Sequence, residues 1–250
     1  LRGLDKVKEE VMAIAREVKP KLPKPPDLAP RFVKSRIVEV PYPTGWVTAD
    51  ELVKLANVAE KYGFGYVLLF NNQSVYIPIC EEVGRIKELS NYEVKDPGPI
   101  YPEGPITVAC LGNELCPPGL IDTTSLGRRI HVHLSGLKEP IRVGISGCTH
   151  DCGMSWVSDI GLEPFGFKTR ILVTIGGGPG QLGLIIGTVD PSDAELTVKA
   201  ILDMYGKSGI RGIREFVVKI GINAIRSELK KQVPSFQPPD NSITTIFGPE

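Results

Sequence analysis

Leu4, Val7, Val11, Ile14 and Val18 recur at helical spacing, so the first eighteen residues predict an amphipathic helix with one apolar stripe. The target of that stripe is expected elsewhere in an assembly. Residues 19–30 follow with five prolines, which exclude helix interior and favour an extended linker. Lys19, Lys21 and Lys24 on this arm could also meet an acidic partner. From Arg31 a β-branched stretch leads to Val40 and a Pro-Tyr-Pro-Thr-Gly turn. Thr48 and Glu51 then form a capping box, opening a helix whose buried face is Leu52, Leu55, Ala56 and Ala59. Strands at 66–70 and 75–79, joined across 71–74, and a helix from Glu81 complete a small α+β module, closed by the proline-rich stretch 97–105.

The second half alternates more regularly. A helix over about 118–134 precedes a strand at 141–145, with further strands at 156–162, 170–175 and 182–189. Ser192 with Glu195 predicts the start of a helix ending near Tyr205, and 210–231 reads as one last long helix. The tail from Val233 shows no periodicity and predicts an arm lying on a partner or a neighbouring lobe. The expected domains are therefore a helix and arm (1–32), the α+β module (33–96), a mixed α/β domain (97–232) and a C-terminal arm (233–250).

Composition narrows the function classes. Hydrophobic residues make up 42% and charged residues 23% of 250, which describes a globular chain able to bury a core. Lys+Arg and Asp+Glu both number 29, so no global field argues for nucleic acid, and any basic site must be local. The absence of a signal-peptide core and of a membrane-length apolar run sets the expectation of a cytoplasmic protein without a membrane partner.

Four of the five cysteines fall in two short loops. Cys110 and Cys116 are spaced Cys-x5-Cys, and Cys148 and Cys152 lie in Ser-Gly-Cys-x3-Cys-Gly. Glycine and proline bracket both pairs, and four thiolates on such loops can converge on an iron-sulfur cluster. A structural zinc site is the alternative, although zinc pairs are usually two to four residues apart and only the second pair fits. Cys80 stands outside the motif. His150, between Cys148 and Cys152, reads either as a donor to a cluster sulfur and proton supply or as a solvated loop histidine. His131 and His133 sit two apart on a predicted helix, point in different directions and read as structural or solvated. The Gly176-Gly177-Gly178 run precedes a strand rather than a helix, which excludes a nucleotide cradle and leaves a tight hairpin turn or a close approach to a cofactor.

These residues, together with Asp159-Ile160-Gly161 and the helix opening Ile213-Arg214-Glu215-Phe216, give the chain a resemblance to the sirohaem and 4Fe-4S family of sulfite and nitrite reductases. The resemblance covers roughly 44–229. It implies a ferredoxin-like half-repeat followed by a cluster domain, with a 4Fe-4S cluster and sirohaem as cofactors. Cys152 would bridge the cluster to the sirohaem iron, with Gly176, Gly177 and Gly178 approaching the macrocycle or cluster. In the family a Thr-x-Arg-Gln segment binds the cofactor; here Asn72 replaces the arginine and Gln73 is kept. No basic residue lies in 104–109, and of a Lys-x-Lys pair only Arg142 remains. Arg142, Lys138 and His150 are the local candidates to hold the anion and supply protons. The implied reaction is six-electron reduction of sulfite or nitrite with a ferredoxin-like donor. A noncatalytic electron-transfer or cofactor-carrying protein is the alternative. Because the large reductases pair two related halves in one chain, a homodimer, or else a two-lobed heteromer, is expected here.

Overall fold

Strand β1 (Arg36–Pro41) realises the β-branched run. The computed structural model describes residues 4–18, 36–65, 67–69, 71, 73–79, 93–95, 104–137, 139–166 and 170–239. The lysine-bearing arm, the helix expected from Glu81 and Cys80 lie outside these residues. Helix α1 (Leu4–Val18) forms as its periodicity predicts, and Val11 and Ile14 of its stripe are exposed. After β1 comes a tight turn at Pro43–Gly45, and then helix α2 (Ala49–Tyr62). The capping box is present: Thr48 N–H donates to Glu51 Oε2 at 2.9 Å, and Glu51 N–H donates to Thr48 Oγ1 at 3.2 Å. The buried face of α2 is Leu55, Val58 and Ala59 rather than the expected set. Leu52 is exposed in the first turn, and Ala56 is exposed, turned about 100° from Leu55.

The chain divides into two units. The first comprises Leu1–Glu39, Leu55–Val67 and Ile77–Pro99. In it β1 pairs antiparallel with β4 (Glu93–Lys95), Val38 standing opposite Val94. The second comprises Val40–Lys54, Leu68–Tyr76 and Ile100–Glu250. In it β2 (Leu68–Leu69) pairs antiparallel with the start of β3 (Ser74–Ile79).

The second unit is built on a five-stranded sheet in sequence order: β5 (Ile106–Ala109), β6 (Arg142–Ile145), β7 (Ile160–Phe165), β8 (Arg170–Ile175) and β9 (Leu184–Val189). The first three strands run parallel and the last two join antiparallel. Val143, Ile145, Ile160, Leu162, Ile171, Val173 and Ile175 are fully buried, as expected of strands covered on both faces. Helices α3 (Gly112–Leu115), α4 (Thr123–Leu134), α5 (Ala194–Ser208), α6 (Ile213–Ile220) and α7 (Ile222–Gln232) complete the unit, Ile130, Leu134, Ile201, Phe216, Ile225 and Leu229 adding their apolar faces to one core.

The structure corrects several expected boundaries. Helix α4 starts at Thr123 rather than 118, because Asp122 caps it by accepting the Ser125 N–H at 2.9 Å. Residues 155–157 form a 3-10 turn, so β7 begins only at Ile160. The expected long last helix is two, broken at Gly221, whose φ of +82° and extended ψ no helix contains. The Ser192 and Glu195 box does not form. Pro191–Asp193 makes a 3-10 turn, while Glu195 pairs with Arg129 and His133, each at 2.9 Å.

The tail from Val233 is no arm as far as Gln237. Val233 and Phe236 are buried in the core, and Gln237 and Thr188 exchange backbone hydrogen bonds at 2.8 and 2.9 Å. Arg170 fixes the corner by donating to the Ser235 carbonyl at 2.6 Å. Among the described residues no helix is long and apolar enough to cross a membrane.

Candidate metal centre

Strands β5 and β6 are adjacent, parallel and in register, with Ala109 opposite Ile145. The loops that follow them therefore leave the same edge of the sheet, bringing Cys110 beside Ser146-Gly147-Cys148. Hydrogen bonds join the two loops: Cys110 N–H to the Ile145 carbonyl at 3.2 Å, Gly147 N–H to Cys110 Sγ at 3.0 Å, and Leu120 N–H to the Gly147 carbonyl at 2.8 Å. The short helix α3 turns the chain so that Cys116 N–H reaches the Gly112 carbonyl at 3.0 Å. Position 147 is tight, since a Cβ there would lie 3.1 Å from Gly112 Cα and 3.2 Å from Cys110 Sγ.

The second loop is held from inside by Asp151. Its Oδ1 accepts the Ser146 hydroxyl at 2.7 Å and the Ser155 N–H and hydroxyl, each at 2.6 Å. Ser146 Oγ in turn accepts the Gly153 N–H at 3.1 Å. Behind this network the buried Glu163 accepts the Trp156 indole N–H at 3.0 Å. Burial pushes the Glu163 carboxyl above its ordinary value; the Trp156 hydrogen bond opposes the shift and the nearby Asp151 charge adds to it. Sequence reasoning missed both acids. The available signal was an Asp-x-x-x-Ser segment ahead of a turn, the spacing at which a carboxylate accepts a later backbone N–H.

All four cysteines line one cavity of about 460 Å³, together with Thr44, Gly45, Trp46, Val47, Gln73, Ala109, Leu111, Leu115, Gly119 and Gly147. Cys152 is exposed and the other three are half-buried. Gln73 does not offer its amide to a ligand: Nε2 donates to the Ala109 carbonyl at 2.5 Å and Oε1 accepts the Ala109 N–H at 3.0 Å, which fixes the residue before Cys110. Trp46 is tied to Thr124 Oγ1 by its indole N–H at 3.1 Å. Thr44 adopts φ +69°, a conformation that costs a β-branched residue about 1–3 kcal/mol.

Among the described residues no three His, Cys, Asp or Glu side chains close on a point that one ion could fill. Four thiols spread around one cavity suit a polynuclear centre, whose ligands bind different metal atoms, better than a single zinc. The soft donor set, a hydrogen bond to Cys110 Sγ and the bare wall at Gly147 all fit an iron-sulfur cluster.

The remaining candidates fall as follows. His150 is exposed with Nδ1 3.4 Å from Cys148 Sγ. Arg142 opens β6, three strand residues and roughly 10 Å before Ile145, and does not line the cavity. Its N–H donates to Asp159 Oδ2 at 2.8 Å; burial raises the Asp159 carboxyl, against the pull of that bond and of the Arg142 charge. Arg142 thus stands at the opposite end of β6 from the second cysteine loop. Asn72 and Lys138 lie outside the described residues. Gly176, Gly177 and Gly178 are not in the cavity wall. Gly177 packs where a Cβ would lie 2.5 Å from the Ser158 carbonyl, and Gly178 exchanges backbone bonds with Gln181 at 3.0 Å in a tight hairpin turn. His131 faces Thr107 Oγ1 at 3.4 Å, with burial lowering its pKa, and His133 pairs with Glu195, so both are structural.

The chain is similar to known proteins. The chain is 28% identical over 205 residues to the assimilatory-type sulfite reductase of Nitratidesulfovibrio vulgaris, covering 74% of this chain and 87% of that one. It is 33% identical over 135 residues to the chloroplastic ferredoxin–nitrite reductase of Spinacia oleracea, covering 51% of this chain and 22% of that enzyme. The chain thus spans about a fifth of the length of the plant reductases it matches. The solved structure of Mycobacterium tuberculosis NirA shares the fold, with a TM-score of 0.57 at 20% identity over 76% of this chain and 39% of that one. The model of the nitrite and sulphite reductase 4Fe-4S domain matches residues 106–235, more than half of the sequence, and the chain belongs to that family.

Proposed function

We propose that the chain holds a 4Fe-4S cluster on Cys110, Cys116, Cys148 and Cys152 with a sirohaem against it, and reduces sulfite to sulfide or nitrite to ammonia. The observation that carries this reading is that four thiols from two separate loops line one cavity. When bound, the two groups supply one-electron transfer and an iron that receives the anion. Cys152, the exposed member of the four, suits the bridging position. His150 is placed to donate to the Cys148 sulfur or to pass a proton in from solvent. Reduction of sulfite to hydrosulfide takes up six electrons and seven protons and releases three waters, so a ferredoxin-like donor and a proton route are both required.

A specific observation favours a second reading. Among the described residues no Lys, Arg or His lines the cavity, and Arg142 stands at the far end of β6, as would suit an electron-transfer or cofactor-carrying protein. Spectra with iron and acid-labile sulfide analysis separate the two cofactors: sirohaem gives a Soret band, and a cluster alone only a broad shoulder. Turnover of sulfite or nitrite with a strong artificial donor marks the reductase, and its absence from the doubly loaded protein marks the carrier. Each of the four cysteine-to-serine variants should lose cluster iron, and full occupancy in Cys110→Ser would refute the assignment. The missing cations are also the reason to place a second lobe in the working unit, most simply a homodimer; a mass near 27.2 kDa by light scattering, with cofactors bound, would overturn that.

A further inference from the structure

We propose that the Thr44 hydroxyl donates a hydrogen bond to a sulfur of the cluster in the cysteine cavity and thereby sets how readily that cluster accepts an electron. The inference rests on the reading that the four cysteines hold the cluster. Thr44 lines the same cavity as the four thiols and is only 4% exposed. Its Oγ1 is, among the described residues, the one buried side-chain oxygen or nitrogen without a hydrogen-bond partner. Buried hydroxyls are almost always partnered, so an orphan in a cavity wall points to a ligand.

The surroundings deny the hydroxyl another use. The Thr44 methyl is seated against helix α4, where a Cβ built on Gly127 would come within 2.7 Å of it. The turn itself is fixed by Gly45 N–H to the Tyr42 carbonyl at 2.7 Å, by Tyr42 N–H to the Gln73 carbonyl at 3.0 Å, and by the Trp46 bond to Thr124. Of the neighbouring donors, the Gln73 amide is taken by Ala109 and the Gly147 N–H by Cys110 Sγ. A turn with φ +69° is one that glycine makes without strain, so threonine here is an outlier whose hydroxyl needs a reason. Sulfur in a cluster is the acceptor that the cavity would supply. A hydrogen bond to it favours the more negative, reduced state and raises the reduction potential.

The test is anaerobic reconstitution of the parent chain and of Thr44→Val, Thr44→Ser and Thr44→Gly, with iron and sulfide analysis and a redox titration of the cluster followed by electron paramagnetic resonance. Thr44→Val should hold the same iron at a more negative potential; a tenfold weakening of the reduction equilibrium reads as about 59 mV for one electron. Thr44→Ser should titrate like the parent. Thr44→Gly should shift like valine while relieving the strained turn, so the result stands even where the valine variant fails to fold. Potentials of Thr44→Val and Thr44→Gly equal to that of the parent would overturn the inference. So would an unchanged cluster potential with a loss of macrocycle, which would give the hydroxyl to that ligand instead. A parent chain that binds no iron overturns the cluster reading itself, a failure seen before any variant is compared.

Discussion

Gln73 holds both backbone polar groups of Ala109, donating to its carbonyl at 2.5 Å and accepting its N–H at 3.0 Å. A side-chain amide so used acts as one more strand at the point where β5 gives way to Cys110. Gln73→Ala should cost about 1–3 kcal/mol, the usual effect of leaving such groups unpaired. It should also loosen the first cysteine loop. Thermal midpoints and iron per chain measure the two effects, and an unchanged iron content would separate the clasp from the metal centre.

Asp151 holds the other loop through three bonds to one oxygen. Asp151→Ala leaves Ser146 and Ser155 without their acceptor and should cost about 1.5–3 kcal/mol or more, with faster loss of iron although every cysteine is intact. Asp151→Asn keeps an acceptor oxygen and tolerates the left-handed backbone at this position, φ +52°, so it should fall between alanine and the parent.

Glu163 makes a pH prediction with a definite sign. Its carboxyl is raised by burial, so its contribution to stability is fully present below the ordinary glutamate value of about 4.3 and is lost as pH rises through the raised value. Glu163→Gln removes the buried charge and keeps an oxygen for the Trp156 indole. Melting curves across pH 4 to 8 should show the variant gaining on the parent as pH rises, then running level with a constant advantage near neutrality. A parent whose advantage grows with pH would contradict this.

Phe236 tests where the compact chain ends. It is 5% exposed beside Val233, and its ring lies where a Cβ on Gly187 would come within 2.8 Å. Phe236→Ala should cost about 3–5 kcal/mol by chemical denaturation, as for a core aromatic, whereas an arm resting on another subunit would show little loss in the isolated chain.

What is legible in the sequence is what is local. The Thr48 and Glu51 box and the strands expected at 141–145 and 170–175 concern neighbours a few residues apart, and they form as expected. The break at Gly221 was hidden because apolar spacing continues through it from Phe216 to Ile225. Phe236 reads as tail because a single aromatic after Pro234 has no period, and only the β9 backbone it meets explains its burial. Arg142 shows the limit in a different way. Sequence places it six residues from Cys148, but an extended strand turns those six residues into distance, and the arginine ends up with Asp159. Thr44 could not be singled out at all, since neither its φ nor its missing partner has a one-dimensional signature.

The parallel pairing of β5 and β6 has a consequence for the order of events in biogenesis. Parallel neighbours cannot be closed by a hairpin, so Ala109 and Ile145 meet only after helix α4 and its flanking turns have carried the chain back across the sheet. Until then Cys110 with Cys116 and Cys148 with Cys152 are two separate thiol pairs, each able to chelate a stray ion and neither able to enclose a cluster. If the four cysteines hold the proposed cluster, metal offered to the unfolded chain meets two competing half-sites and metal offered after folding meets one receptacle of four, which makes timing of delivery a property written into the sheet.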